Sequence, residues 1–89
     1  MTMQMTLKLF ATLGQYLPPG AERNKAQIDV AEGTTVSELI QELGLPLELT
    51  HLVLVNGVYI APEERDERKF EAGDEFAVFP PIAGGWAEE

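Results

Sequence analysis

The residues whose types and order suggest chemistry lie near the C-terminus, in the run Phe79-Pro80-Pro81-Ile82-Ala83-Gly84-Gly85. The two prolines end a preceding strand and stiffen the exit of the chain, because proline lacks an amide donor. The residues that follow carry little side-chain bulk, and glycine allows close approach by a site that acts on the main chain. We interpret the run as a projecting tail whose backbone at Gly84 and Gly85 is the reactive part. A glycine pair alone would favour an inert tail; its position after a final strand and two prolines favours the functional interpretation.

Conventional catalytic groups are sparse in the rest of the sequence. The chain has no cysteine, which excludes a thiolate metal site, a cysteine nucleophile and a disulfide framework. Its one histidine, His51, has no second histidine near it and is interpreted as a surface or partly packed residue. The charged stretch 62–69 mixes acids with arginines and is interpreted as a solvated connection. An enzyme that uses its own side chains is therefore disfavoured.

The composition limits the partners and the compartment. Fifteen acidic and six basic residues give a net charge of −9, which disfavours nucleic acid and anionic lipid as partners and suits a protein with a basic docking face. No segment approaches the roughly 20 apolar residues of a membrane span. Residues 1–5 lack the basic and apolar parts of a signal peptide. A cytoplasmic location is the expectation.

Hydrophobic periodicity predicts the elements that position the tail. Alternating apolar residues indicate strands, and Asn56-Gly57 is a strong signal for a tight hairpin turn. Residues 14–24 contain Pro18-Pro19-Gly20 and predict a loop. The strands are predicted at residues 3–9, 25–31, 52–55, 58–60 and 75–79.

The clearest prediction is one helix between the second and third strands. Thr35 and Glu38 have the spacing of a capping box, in which each side chain bonds the other residue's amide group. The apolar residues of the stretch 36–43 form one stripe, which should bury Leu39 and Ile40 against the sheet. Gly44 provides the C-terminal cap. The order of elements predicts an α+β fold, a mixed sheet covered on one face by one main helix, with the ubiquitin-like β-grasp as the natural candidate.

Several segments together resemble one known family. The stretch 74–85, Asp-Glu-Phe-Ala-Val-Phe-Pro-Pro-Ile-Ala-Gly-Gly, is similar to the C-terminal signature of MoaD-type proteins, the small subunits of molybdopterin synthase. Residues 7–11, 35–39 and 55–57 resemble the first strand, helix start and hairpin of the same family. The chain thus resembles the MoaD/ThiS family of ubiquitin-like sulfur carriers, and is closest to MoaD. We therefore expect a β-grasp domain at residues 1–79 and a flexible tail at 80–89.

The resemblance implies a carrier protein rather than an enzyme, with the carboxylate of Gly85 as the reactive group. In the family, an adenylating enzyme related to ubiquitin activators couples the last glycine to AMP, and sulfur then replaces AMP to give a thiocarboxylate. ATP is a substrate of that partner, so no cofactor is expected on this chain. The implied acceptor complex contains a molybdopterin synthase large subunit of the MoaE type. Carriers for thiamin, cysteine or tRNA thiolation remain alternatives.

The chain departs from the family pattern after Gly85, because Trp86-Ala87-Glu88-Glu89 follows. A glycine within a peptide bond has no carboxylate to activate. One explanation is a processing peptidase that removes residues 86–89. The other is a divergent relative that is never charged and acts as a non-conjugating interaction module.

A docking face is predicted on the side of the sheet opposite the helix. Period two divides the strand residues between two faces: if Leu7, Leu9, Val53, Val55, Phe76 and Val78 face the helix, then Phe10, Leu54 and Phe79 lie on the other face. Together with residues 80–83 (Pro80, Pro81, Ile82 and Ala83), these three form the predicted partner-binding surface. Apolar patches of this kind usually mark partner surfaces.

Overall fold

The computed structural model describes residues 1–81, which form a five-stranded sheet packed against one α-helix. The strands are β1 (Thr2–Leu9), β2 (Lys25–Ala31), β3 (Leu52–Val55), β4 (Val58–Tyr59) and β5 (Glu75–Phe79), and the helix is α1 (Val36–Leu43). Short 3₁₀ helices occupy Ala11–Tyr16, Leu47–Leu49 and Pro62–Glu64.

The sheet has the strand order β2-β1-β5-β3-β4, with the last strand of the chain in its centre. Strand β5 runs parallel to β1 and antiparallel to β3, while β1–β2 and β3–β4 are antiparallel pairs. A parallel pair requires a crossover connection, and α1 supplies part of it on one face of the sheet. This mixed sheet with one covering helix is the predicted β-grasp fold.

Helix α1 begins and ends as its sequence predicts. The Thr35 hydroxyl accepts a hydrogen bond from the Glu38 amide at 3.2 Å, and the Glu38 carboxylate accepts one from the Thr35 amide at 3.0 Å. Gly44 ends the helix at φ 77°, a conformation that favours glycine because a side chain would be strained there. Leu39 and Ile40 are buried, as predicted.

The core lies between the inner face of the sheet and α1. Its fully buried side chains come from alternate strand positions, from one stripe of the helix and, at Leu13, from the first 3₁₀ helix, so strand and helix periods agree on a single interior. The largest of them are Met5, Leu7, Leu9, Leu13, Val36, Leu39, Ile40, Val53, Val55, Phe76 and Val78.

Two segments differ from the sequence-based prediction. Residues Ala11–Tyr16 form a 3₁₀ helix that overlaps the predicted loop, and this helix buries Leu13 in the core. The charged connection 62–69 is not uniformly solvated, because Arg65 is only 8% exposed. The second difference has a clear cause: a single buried side chain in an otherwise polar segment leaves no periodic signal.

Candidate functional site

Strand β5 leads directly into the predicted reactive tail, and its N-terminal end is held by a polar clamp around the buried Asp74. The Asp74 carboxylate accepts hydrogen bonds from the Asn56 side-chain amide at 2.9 Å and from the Glu71 backbone amide at 2.8 Å. The Asn56 side-chain oxygen accepts one from the Glu75 amide at 2.9 Å. Because Asp74 is buried, these partners are needed to offset its desolvation. The clamp fixes the start of the strand relative to the β3–β4 turn.

The C-terminal end of β5 is fixed by two backbone hydrogen bonds. The Phe10 amide donates to the Val78 carbonyl at 3.2 Å, and the His51 amide donates to the Phe79 carbonyl at 3.1 Å. Pro80 is buried and Pro81 is exposed, so the main chain reaches the surface at this point. The remaining predicted tail residues lie outside the described part of the chain: Ile82, Ala83, Gly84 and Gly85.

Arg65 braces the segment that precedes His51. One guanidinium nitrogen donates to the Thr50 hydroxyl at 3.1 Å, and another donates to the Thr50 carbonyl at 3.2 Å. The Arg65 carbonyl in turn accepts from the Ser37 amide at 3.0 Å, which joins this brace to the first turn of α1. Burial lowers the pKa of Arg65, because a charged guanidinium loses its hydration there. Arg65 therefore connects α1 to Thr50, the neighbour of His51, whose amide holds the end of β5.

The predicted partner-binding side chains Phe10, Leu54 and Phe79 lie together on the open face of the sheet. The rings of Phe10 and Phe79 stack with centroids 4.0 Å apart and planes 5° from parallel. All three side chains are half-buried. The stack contributes to the partial burial of both rings, because each covers one face of the other.

The apolar surface extends beyond the predicted residues to Leu52 and Tyr59. Leu52 lies opposite Phe79 in the β3–β5 ladder, and Tyr59 lies opposite Leu54 in the β3–β4 ladder. Leu52 is half-buried, whereas Tyr59 is 50% exposed. We call Phe10, Leu52, Leu54, Tyr59 and Phe79 the outer patch. The signal for the two additional residues was present in the sequence, because period two from Leu54 gives Leu52 and the tight hairpin pairs Leu54 with Tyr59.

Charged residues border the outer patch on the β1 side. The Lys8 ammonium lies 2.8 Å from the Glu75 carboxylate, and Lys25 lies opposite Lys8 in the β1–β2 ladder. The open face therefore changes from apolar at β3 and β4 to charged at β1 and β2. Such a gradient fixes how a partner is oriented on the sheet.

The side chains of residues 1–81 include no group of three or more histidine, aspartate or glutamate residues placed to hold a metal ion. No helix within that same part of the chain has the length and apolar character needed to cross a bilayer. Hydrogen bonds hold the main chain of β5 at both ends, and the chain then leaves the sheet beside the outer patch.

Comparison with known proteins places this geometry in a family. The ThiS family model matches residues 7–85 and thus includes the outer patch, β5 and the two glycines. No curated protein sequence matches significantly.

Solved structures share the fold over nearly the whole chain. The Haloferax volcanii HVO 2177 protein is 28% identical, with 94% of this chain and 88% of that chain covered and a TM-score of 0.71. Small archaeal modifier protein 1 of H. volcanii is 28% identical, with 90% and 99% covered and a TM-score of 0.64. A Pyrococcus furiosus protein assigned as molybdopterin converting factor subunit 1 is 26% identical, with 90% and 99% covered and a TM-score of 0.63. The family match covers most of the sequence and the shared fold extends over it, so this chain belongs to the ThiS family of small ubiquitin-like carrier and modifier proteins.

Proposed function

We propose that this chain is a sulfur carrier for molybdopterin synthesis whose reactive group is the carboxylate of Gly85. The observation that carries the proposal is the family match, which ends at Gly85, shortly after the central strand β5. Similarity to the P. furiosus converting-factor subunit supports the choice of molybdopterin over other sulfur acceptors.

The proposed chemistry takes place on the main chain of this protein in the active site of a partner. A partner adenylating enzyme couples the Gly85 carboxylate to the α-phosphate of ATP and releases pyrophosphate. A hydrosulfide ion then attacks the acyl carbon and forms the C–S bond, AMP leaves with the electron pair of the C–O bond, and loss of the S–H proton leaves a thiocarboxylate. Glycine has no β-carbon to obstruct this attack.

The outer patch is the proposed docking surface for the adenylating enzyme and for a molybdopterin synthase large subunit. It lies beside the exit of the tail, because Phe79 belongs to the patch and is also the last residue of β5, directly before Pro80. Docking there would hold the base of the tail at a fixed distance from the partner's active site. Proximity of this kind converts a bimolecular reaction into an effectively unimolecular one.

Residues 86–89 must be removed before this chemistry can begin, since the reactive atom is a terminal carboxylate. We propose that a processing peptidase cleaves after Gly85. Intact-mass spectrometry of the protein from its native cell should show a species that ends at Gly85, with a fraction raised in mass by replacement of oxygen with sulfur. Detection of only the 89-residue form while the sulfur pathway is active would refute the carrier function.

A reconstituted assay isolates the chemical step. A chain that ends at Gly85 should support ATP–pyrophosphate exchange by the cognate adenylating enzyme, whereas the full-length chain should not. A chain that ends at Gly84 is the matched control, because it keeps a glycine carboxylate but shortens the reach by one residue. Equal exchange with all three chains would show that Gly85 has no special role.

A second candidate function is protein modification, which similarity to small archaeal modifier protein 1 favours. Adenylation would be the same, but the acyl group would pass to a lysine amine and form an isopeptide bond. The two functions differ in the acceptor. Cells that carry a tagged chain should show covalent adducts of higher mass that survive denaturation and thiol reduction if the chain is a modifier, and only the free or thiocarboxylated chain if it is a sulfur carrier.

A further inference from the structure

Strand β2 is a long and open edge of the sheet. Within residues 1–81 its only pairing besides β1 is a bridge between Lys25 and Glu22, and it contains seven residues without proline, whereas the opposite edge strand β4 contains two. A long edge presents backbone donors and acceptors that can pair with another chain, and native proteins usually shorten or cover such edges. On the described part of this protein the two edges are therefore not equivalent.

The hydrogen-bond register shows which backbone groups of β2 point outward. The Leu9 amide donates to the Asn24 carbonyl at 2.9 Å, and in an antiparallel ladder such bonded pairs alternate with non-bonded pairs. In the β1–β2 register, Gln27 and Asp29 belong to non-bonded pairs. Their amide and carbonyl groups therefore point away from β1. The Ala31 amide points the same way, while the Ala31 carbonyl already accepts from Thr34 at 3.2 Å.

An apolar groove lies directly beside this edge, on the helix side of the sheet. It has a volume of about 330 Å³ and runs between β2 and α1. Ile28 and Val30 form one wall, Leu39 and Leu43 form the other, and Tyr16 lines the groove as well. Ile28, Leu43 and Tyr16 are half-buried, so apolar surface is left for another side chain to cover.

The charge at this edge limits the kind of segment that fits. Asp29 and Glu42 both line the groove, and none of its lining residues within 1–81 is basic. The two-residue period of β2 directs the Asp29 side chain to the open face, so Glu42 is the acidic side chain on the helix side. Both acidic side chains are exposed. A segment with a lysine or arginine beside its apolar residues would be attracted, and an acidic segment would be repelled.

We propose that β2 and this groove bind an extended segment of a partner protein, which adds a strand to the sheet. The backbone of the segment would bond to Gln27, Asp29 and Ala31. Its alternate side chains would be aliphatic and would fill the groove, and its ends would be basic. Strand addition of this kind derives affinity from the main chain and specificity from the alternate side chains. The surface is separate from the outer patch, so the inference does not depend on the proposed sulfur-carrier function.

A synthetic peptide tests the proposal with the full-length protein. The probe is an acetylated and amidated Lys-Val-Thr-Ile-Thr-Val-Lys peptide, titrated while backbone amide shifts and amide hydrogen exchange are recorded. Binding should saturate, and it should slow exchange at Gln27, Asp29 and Ala31 at least tenfold. The outer patch should be unaffected.

Two backbone-methylated peptides serve as matched controls that cannot unfold the protein. One carries N-methyl groups on the threonines and the other carries them on the aliphatic residues. In a bound strand only alternate residues donate their amide groups to β2, so only one of the two methylated peptides loses these hydrogen bonds. That peptide should bind about tenfold or more weakly, and the other should bind nearly as well as the parent. The threonine set should matter for an antiparallel strand and the aliphatic set for a parallel one.

Protein variants test the same contacts from the other side. Asp29→Pro removes an outward donor, and proline is tolerated at an edge where the amide faces solvent; Asp29→Ala keeps that donor. Peptide affinity should fall about tenfold more in Asp29→Pro than in Asp29→Ala. Glu42→Gln should weaken binding severalfold, while Glu48→Gln, an exposed change outside the groove, should leave it unchanged.

Three results would overturn the proposal. The first is no saturable binding of the parent peptide. The second is binding that both methylated peptides retain, since the interaction would then not use the backbone of β2. The third is strong exchange protection of the Gln27 and Asp29 amides in the free full-length chain, because the edge would then already be occupied.

Discussion

The two faces of the sheet are built from alternate residues of the same strands, but they differ in how completely they are covered. In β5, Phe76 and Val78 point to the helix and are fully buried. Phe79 points the other way and is half-buried by its stack with Phe10. In β3, Val53 and Val55 are buried, while Leu52 and Leu54 are only partly covered. The open face is thus almost as apolar as the closed face at β3 and β5, but residues 1–81 cover it only in part.

This difference separates residues that hold the fold from residues that are available to a partner. A side chain between sheet and helix contributes its full burial to folding, whereas a half-covered aromatic residue keeps part of its apolar area for an interface. Mutations on the two faces should therefore have opposite signatures. Those on the closed face should reduce stability, and those on the open face should reduce binding.

The largest expected effect compares Phe76→Ala with Phe79→Ala in one strand. Phe76→Ala should lower the free energy of unfolding by about 3–5 kcal/mol, because it leaves a cavity in the core. Phe79→Ala should cost about 1–2 kcal/mol, since it removes a partly buried ring and one stacked pair. Chemical denaturation of the two variants and the wild type measures both values. Equal losses would mean that the outer patch is as much a part of the core as the inner face.

The next prediction concerns Arg65, a buried cation whose carbonyl accepts a hydrogen bond from the first turn of α1. Arg65→Met keeps most of the apolar stem but leaves the Thr50 carbonyl and hydroxyl without their donors. We expect a loss of about 1–3 kcal/mol in the free energy of unfolding. Arg65→Lys, which keeps the charge but not the two-pronged geometry, should recover only part of it. Unchanged or increased stability in Arg65→Met would show that burial of the cation costs as much as its hydrogen bonds contribute.

A third prediction sharpens the comparison through binding. Phe79→Asp should weaken association with the adenylating enzyme at least tenfold, because a carboxylate would have to lose its hydration in an apolar interface. The fold should persist, as judged by backbone amide spectra. Leu47→Asp is the matched control: Leu47 is exposed and lies in the 3₁₀ helix before β3, away from the outer patch. If both variants bind as the wild type does, the outer patch is not the docking surface.

The sequence predicted the elements whose signals are periodic or local. The predicted bounds of β2 and β3 were correct, and so was the capping box of α1. These signals depend on residues that are close together in the sequence. The outer patch was predicted only in part: Leu52 follows from the two-residue period of β3 and Tyr59 from the pairing of the hairpin, but neither was included in the prediction. The burial of Arg65 was missed, because nothing local distinguishes it from Arg68 in the same charged stretch. Its role depends on Thr50, fifteen positions away, which only the folded chain brings near.

The smallest expected effect tests whether charge on the open face supports the fold. Lys8 and Glu75 form an ion pair at 2.8 Å, but their side chains are 31% and 45% exposed. Water screens such a pair, and ordering two long side chains costs entropy, so the coupling energy should be about 0.2–1 kcal/mol. A double-mutant cycle with Lys8→Ala and Glu75→Ala, followed by denaturation at low and high salt, measures it, and the coupling should decrease as salt is added.

A coupling well above this range that persists at high salt would contradict the comparison of the two faces. It would mean that the β1 side of the open face is shielded from water in the free protein and contributes to folding like the closed face. A small, salt-sensitive coupling would instead leave Lys8 free to exchange Glu75 for an acidic group of a partner. In that case Lys8→Ala should slow association with the adenylating enzyme at low salt more than it changes dissociation, because charges at the rim of an interface act mainly on the rate of encounter.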